Sequence, residues 1–379
     1  MSGTFQLGRL FGIDIKFHFT WIFIFLLVAW SLAGSNGFLP QRYPGWPTST
    51  YWIVGIIGSA LLFASVLVHE LSHSLVAISR GYKVSGITLF FLGGVSEIEE
   101  EAAKASEEFW IAVVGPLSSV ILGIIFLVLF RVVSGSNSQA EALFGYLYFI
   151  NFALAVFNLM PAFPMDGGRV LKAVVWQATG SLPRANTVAT TVGSLLGYGL
   201  IGIGIIVAFR FNFISGLWLV FIGWFIQSAA SSSRQQYHVQ TALSGLTVRD
   251  AMQEAVPTVG PGTTVQELLE EYVTKEFQRV YLVSLGDTFQ GLVSVSDIRQ
   301  VPPEERPSKF VTEIMTRAPD VVAVSPSDPL ETALERLTTN DVNQLVVLEN
   351  GRPVGLLNRR DILSVLEISA LFPNRAVSS

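Results

Sequence analysis

Two histidines and a glutamate stand at the end of an uncharged run. The run is YWIVGIIGSALLFASV (51–66), and LVHELSHSLV (67–76) follows it. Of the four histidines in the chain, His18, His69, His73 and His238, two fall in this one pentapeptide. Residues at i and i+4 leave a helix from the same face, so His69 and His73 can grip one metal ion. Glu70, beside them, could take a proton from a water that the metal activates, the chemistry by which zinc metalloproteases work at neutral pH. A carboxylate at membrane depth costs on the order of 3 kcal/mol. Ordinary helix-end hydrogen bonds, the blander reading, give no reason to bear that cost.

Such a site needs a third ligand and an open position for water. The chain has no cysteine, which excludes thiolate ligands and disulfides and leaves the redox compartment open. Most acidic residues of the first 244 cluster at 97–108 or sit in loops; Asp166, in FNLMPAFPMDGGRVL, stands apart. Pro161 and Pro164 break the apolar run before it, and Gly167-Gly168 permit a tight turn after it. The alternative is a loop aspartate capping a helix that begins at Gly168.

The elements around these residues are membrane elements. The chain of 379 residues is 50% hydrophobic and 14% charged, with mean hydropathy +0.51, against about 25% charge in an ordinary soluble protein. Six runs are long enough to cross a bilayer: roughly 18–35, 51–79, 108–131, 142–163, 186–209 and 213–232. A signal peptide ending near SLAG (31–34) fits the first run poorly, because the amphipathic lead FQLGRLFGIDIKF is long for its charged region. With the N-terminus inside, Arg9, Lys16, Arg80, Lys83, Lys104, Arg169, Lys172, Arg184 and Arg234 face the cytoplasm, and Arg42, Arg131 and Arg210 face out. Positive charge orients such bundles, so we expect a multi-pass cell-membrane protein with both termini cytoplasmic.

YKVSGITLFFLGGVSEIEEE (82–101) reads as a short β-hairpin dipping into the membrane boundary. An open strand edge is not tolerated against lipid, so it must be covered or line a wet cavity. Gly93-Gly94 would then offer an edge on which an extended substrate could pair. Gly115, Ser119 and Gly123 recur every four residues, as do Gly193 and Gly197. We read these as helix packing with no chemical role.

Residues 245–370 differ in kind. They hold 11 basic and 19 acidic residues, a net of −8, and lack the basic footprint of a nucleic-acid binder. They contain an internal repeat with Met252 and Met315 in equivalent places, and likewise Asp297 and Asp361. A repeat that buries little alone should pair with its twin. The expected domains are a membrane domain over residues 1–232, a linker 233–244, repeats 245–302 and 308–370, and a tail 371–379.

The two motifs together carry a resemblance. His-Glu-x-x-His followed by Asn158-x-x-Pro161-x-x-Pro164-x-Asp166-Gly167 resembles the site-2 protease family of intramembrane zinc metalloproteases, and AVVGPLSSVILG (112–123) and the Gly-Gly hairpin extend the match over roughly 7–232. The resemblance implies that His69, His73 and Asp166 bind one zinc ion, that Glu70 is the general base, and that Asn158 helps hold the substrate. The substrate would be a membrane-spanning protein. The family's common PDZ insertion is absent. The C-terminal repeats are instead similar to a pair of CBS domains, as in the branch typified by the sporulation pro-sigma-factor protease. The implied fold is an α-helical polytopic membrane protein with a cytoplasmic α/β tandem CBS pair, compatible with a homo-oligomer through that pair. CBS pairs often bind ATP, ADP or AMP, and the family pattern points to Ser294 with Asp297 and to Asn358 with Asp361. Asn358 departs from the usual hydroxyl. Competing readings are a CBS-regulated transporter and a catalytically inactive binding relative.

Overall fold

The computed structural model describes residues 3–371, apart from 91, 92, 99, 100, 255, 277 and 287. The expected tail, 371–379, lies outside the described residues except for its first. The chain divides into two compact units, Met1–Gln235 and Gln236–Ser379.

The first unit opens on a β-hairpin where the sequence suggested only an amphipathic lead. Strand β1 (Thr4–Leu10) pairs antiparallel with β2 (Ile13–His18), and Phe11 and Gly12 between them both have positive φ. Two such residues make the tight turn whose twist suits a hairpin. Ile13, Ile15 and Phe17 alternate inward along β2. A four-stranded sheet follows, in the order β1-β2-β3-β4, with β3 Val84–Phe90 and β4 Gly93–Ile98. Its buried face packs Ile13, Ile15, Phe17, Ile87 and Leu89 on Val66, Leu67 and Leu71. The sheet is thereby fixed to the helical turn that carries His69 and Glu70.

Helices α1 (Trp21–Ala33) and α2 (Phe38–Arg42) lead into α3 (Thr48–Ser79), which is 32 residues long. At 1.5 Å per residue α3 runs about 48 Å, well past a ~30 Å hydrocarbon core. Gly81, at φ 93°, ends it. Next come α4 (Ala105–Val133), α5 (Ser138–Asn158), α6 (Asp166–Thr179), α7 (Leu182–Arg210) and α8 (Phe213–Leu243). Among the described residues six helical segments are long and apolar enough to span a membrane, so this is a polytopic helical membrane unit. Helix α5 stops at Asn158, short of the expected 163, because the prolines that follow cannot continue it. Helices α7 and α8 approach closely: a Cβ added at Gly223 would lie 2.7 Å from Gly197 O. The segment expected to be a linker, 233–244, is helical through Leu243.

The second unit is a tandem α/β pair. One sheet has the order β5-β6-β7-β8 (Thr258–Val259, Val280–Leu285, Thr288–Ser294, Thr316–Arg317), and the other β11-β10-β9 (Arg352–Asn358, Gln344–Glu349, Ala323–Val324). The repeats are exchanged at their leading ends. Strand β8, which leads the second repeat, pairs with β7 of the first. Gln253, in the lead of the first repeat, bridges Leu356 of the second. The cores mix accordingly. Leu243 and Val248 join Leu330, Leu345 and Ile362, while Val311 joins Val259, Tyr281 and Ile298. Gly291 and Gly355 make room for this, because a Cβ on them would meet Met315 Sδ at 3.0 Å and Met252 Sδ at 3.1 Å respectively.

Candidate metal centre

His69 and His73 are one turn apart on α3, and both are buried. Their Nε2 atoms are 3.2 Å apart. Asp166 Oδ2 lies 3.1 Å from His69 Nε2 and 3.3 Å from His73 Nε2. The three ligand atoms fall within 4.8 Å of one another, a cluster that could hold a metal ion. Asp166 is itself the first residue of α6, rather than a loop residue capping a helix that begins at Gly168. Helix α6 can turn in so tightly because Gly167 lies against the Leu159 carbonyl, where a Cβ would clash. Burial pushes the Asp166 carboxyl up, but hydrogen bonds with His69 and His73 outweigh it and hold the group well below the usual carboxylate range.

The other ring nitrogens are also engaged. His73 Nδ1 donates to Ile111 O at 2.6 Å, and His69 Nδ1 meets Ser119 Oγ at 2.9 Å. A donor at Nδ1 leaves the Nε2 lone pair for a metal, the arrangement metal-ligating histidines show. Gly115 lies between these contacts. A Cβ there would fall on His73 Nε2 and 2.7 Å from His69 Nε2. This corrects the sequence reading of Gly115 and Ser119 as packing alone. Gly123 does serve packing, against Phe152. Small residues in a membrane helix look alike until a neighbour is known. Only the spacing, one turn apart on the face opposite the histidines, could have hinted otherwise.

Glu70 is half-buried. Its carboxylate accepts from Ser96 Oγ on β4 at 2.9 Å, and the same hydroxyl is 3.1 Å from Glu70 O. Gly94 lets the strand come this near: a Cβ there would be 2.9 Å from Glu70 Cδ. Among the described residues, strand β4 has a strand partner only on its β3 side. Glu97, on its polar face, is pushed up by burial, yet Lys16, Thr88 and Ser85 hold it below its ordinary value. Gly93 has φ 137° and is half-buried. Asn158 is the last residue of α5, half-buried, with no side-chain hydrogen bond to the histidine pair or to any other group among the described residues.

In the second unit the four singled-out residues serve the backbone. Ser294 and Asp297 form a reciprocal cap, with Ser294 N donating to Asp297 Oδ2 at 2.8 Å and Asp297 N to Ser294 Oγ at 3.3 Å. Asn358 N donates to Asp361 Oδ2 at 2.8 Å, and Gln253 Nε2 to Asp361 Oδ1 at 2.8 Å.

A helix-borne histidine pair joined by an aspartate, inside a six-span membrane unit, defines the class as a polytopic membrane protein with a metalloprotease-like centre. Comparison with known proteins agrees. The model of peptidase family M50 matches residues 57–137 and 133–200, and that of the CBS domain matches 248–304 and 311–368. "Putative zinc metalloprotease sll0528" of Synechocystis sp. is 33% identical over 98% of this chain and 97% of its own length. "Putative zinc metalloprotease Rip3" of Mycobacterium tuberculosis is 32% identical over 98% and 95%. Among solved structures, the site-2 protease from Methanocaldococcus jannaschii is 30% identical, covering 61% of this chain and 95% of that one, with a TM-score of 0.43. The chain belongs to the peptidase M50 (site-2 protease) family of zinc metalloproteases, and carries a tandem CBS pair.

Proposed function

We propose that this protein hydrolyses a peptide bond within or near a transmembrane segment of a membrane-bound substrate. The observation that carries the reading is the meeting of two imidazole Nε2 atoms and one carboxylate oxygen, each imidazole already oriented through Nδ1. This donor set fits zinc, with His69, His73 and Asp166 as its ligands. Zinc bound there supplies the Lewis acidity that makes water a nucleophile near neutral pH. With zinc held there, the Glu70 carboxylate would take a proton from the attacking water and return it to the leaving amine. Ser96 holds the Glu70 carboxylate at one oxygen, leaving the other for the proton. A substrate helix hides its peptide bonds in its own hydrogen bonds, so it must unwind locally. The unpaired side of β4, from Gly93 and Gly94 onward, would take the extended segment by main-chain pairing, with Asn158 assisting. The bias of positive charge toward one side supports a reading in which both termini are cytoplasmic.

The test is co-expression with single-span membrane proteins, comparing wild type with Glu70→Gln. Glu70→Gln keeps the shape and the metal but removes the proton acceptor, so cleavage should fall by about 10²-fold or more. A fully active Glu70→Gln enzyme would sink the mechanism.

For the CBS pair, the proposal is that an adenine nucleotide binds and alters proteolysis. Its ribose site is set at Asp297, whose Oδ1 has no partner among the described residues, in preference to Asp361, whose two oxygens are both taken. Calorimetry of the full chain in detergent with ATP, ADP and AMP should show binding that Asp297→Ala removes and Asp361→Ala leaves. Absence of heat with all three would end the nucleotide claim.

A further inference from the structure

One face of α4 does more than pack. Along it, Ile111 O holds His73, Gly115 makes room for both imidazoles, and Ser119 holds His69. One turn before Ile111 on the same face stands Glu108, whose side chain is 3% exposed. It meets two cations of α6. Arg169 Nε and Nη2 reach its two oxygens at 3.1 and 3.2 Å, and Lys172 Nζ reaches Oε1 at 3.1 Å. Arg169 and Lys172 follow Asp166 by one and two turns of α6. The histidines thus have their orienting partners on α4, and the helix that bears the aspartate is tied to that same face.

The proposed chemistry does not use this trio, and its burial is costly. Breaking a buried charge group by removing one partner leaves an uncompensated charge. Here the partner is one carboxylate facing two cations. Without it, Arg169, one turn after Asp166 on the same helix, would lose its carboxylate partner beside another one. A guanidinium released toward Asp166 would compete with a metal for the same oxygens.

We infer that Glu108 is a positioning residue for Asp166: it holds α6 against α4 and keeps Arg169 and Lys172 off the third ligand. The inference rests on the reading of Asp166 as a metal ligand. It is tested on the full chain purified in detergent, by zinc content, by chelator competition, and by the absorption spectrum after cobalt(II) replaces zinc. Glu108→Gln should stay monodisperse, bind zinc on the order of 10–100-fold more weakly, and shift the cobalt bands. Glu108→Asp, which keeps the charge, should bind zinc far more nearly as wild type does. If Glu108→Gln does not fold, Arg169→Met, which removes the two-pronged pair together with the competing guanidinium, reads the tie of α6 to α4 alone: weaker zinc binding supports that tie, and unchanged zinc binding in folded protein would overturn it. Wild-type zinc affinity and an unshifted cobalt spectrum in the folded variant would overturn the inference, since a purely structural tie would lower only the unfolding temperature. Asp166→Ala separates the two claims. If it loses zinc while Glu108→Gln does not, only the positioning role fails; if it keeps full zinc, Glu108 has no ligand to position.

Discussion

The two units use the same polar residue types in opposite ways. In the membrane unit, Asp166 begins a helix but reaches across to two histidines, and Glu108 reaches across to Arg169 and Lys172. In the CBS unit, Asp250, Asp297, Asp328 and Asp361 each accept from a backbone N–H three residues earlier. An aspartate that caps its own helix has a local reason to be there. One that leaves its own backbone unserved and is buried against another element has only a tertiary reason. A motif built on such an aspartate therefore says more about chemistry than one the backbone already explains.

The comparison would break most visibly at Gly115. Gly115→Ala places a methyl on both Nε2 atoms, so zinc should be lost and proteolysis should fall by at least about 10²-fold, while the helices still assemble. Zinc analysis of folded protein reads this directly, and normal zinc content would mean the site can shift aside. Ser119→Ala comes next. It removes one orienting partner, and zinc affinity should drop roughly 10-fold in chelator competition. On the other side of the comparison, Ser294→Ala should cost about 1 kcal/mol as a lost helix cap, read as a fall of roughly 3 °C in the unfolding midpoint. Zinc content should not move. A Ser294→Ala protein with unchanged stability but lost nucleotide binding would show that this motif, too, exists for chemistry.

The smallest effect expected is at Asp250. Hydrogen bonds from the Thr247 backbone and hydroxyl hold its carboxyl below the ordinary value. A depressed folded pKa contributes stability above the unfolded pKa, near 3.9, and that contribution is lost as pH falls through the folded value. Asp250→Asn should lower stability slightly at neutral pH and converge on wild type as pH falls below about 4, which flattens the acid side of the profile. A profile identical to wild type down to pH 2 would remove Asp250 from the acid response.

Legibility in the sequence followed the same divide. His69 and His73 share a face by spacing alone, and the six spans follow from composition. Asp166 could be picked out only because few other acids remained. Glu108 was hidden at the end of an acidic run, where a solvated face is the usual reading. The β1–β2 hairpin escaped notice because Gly8 and Gly12 interrupt its alternation, and a bulge between Gln6 and Gly8 breaks its register. The exchange between CBS repeats could not be read at all, since likeness between two repeats says nothing about which one covers which.

That exchange has a consequence during synthesis. Residues 310–317 close over Gly291 and complete the core of the first repeat, yet they leave the ribosome after all the rest of that core. At about 5–20 residues per second, the nascent first repeat therefore waits with its groove uncovered, and the lead at 243–252 waits longer still for β10 and β11. Chains stalled or truncated after residue 302 should be targets for chaperones and proteases, although they contain one whole copy of the repeat.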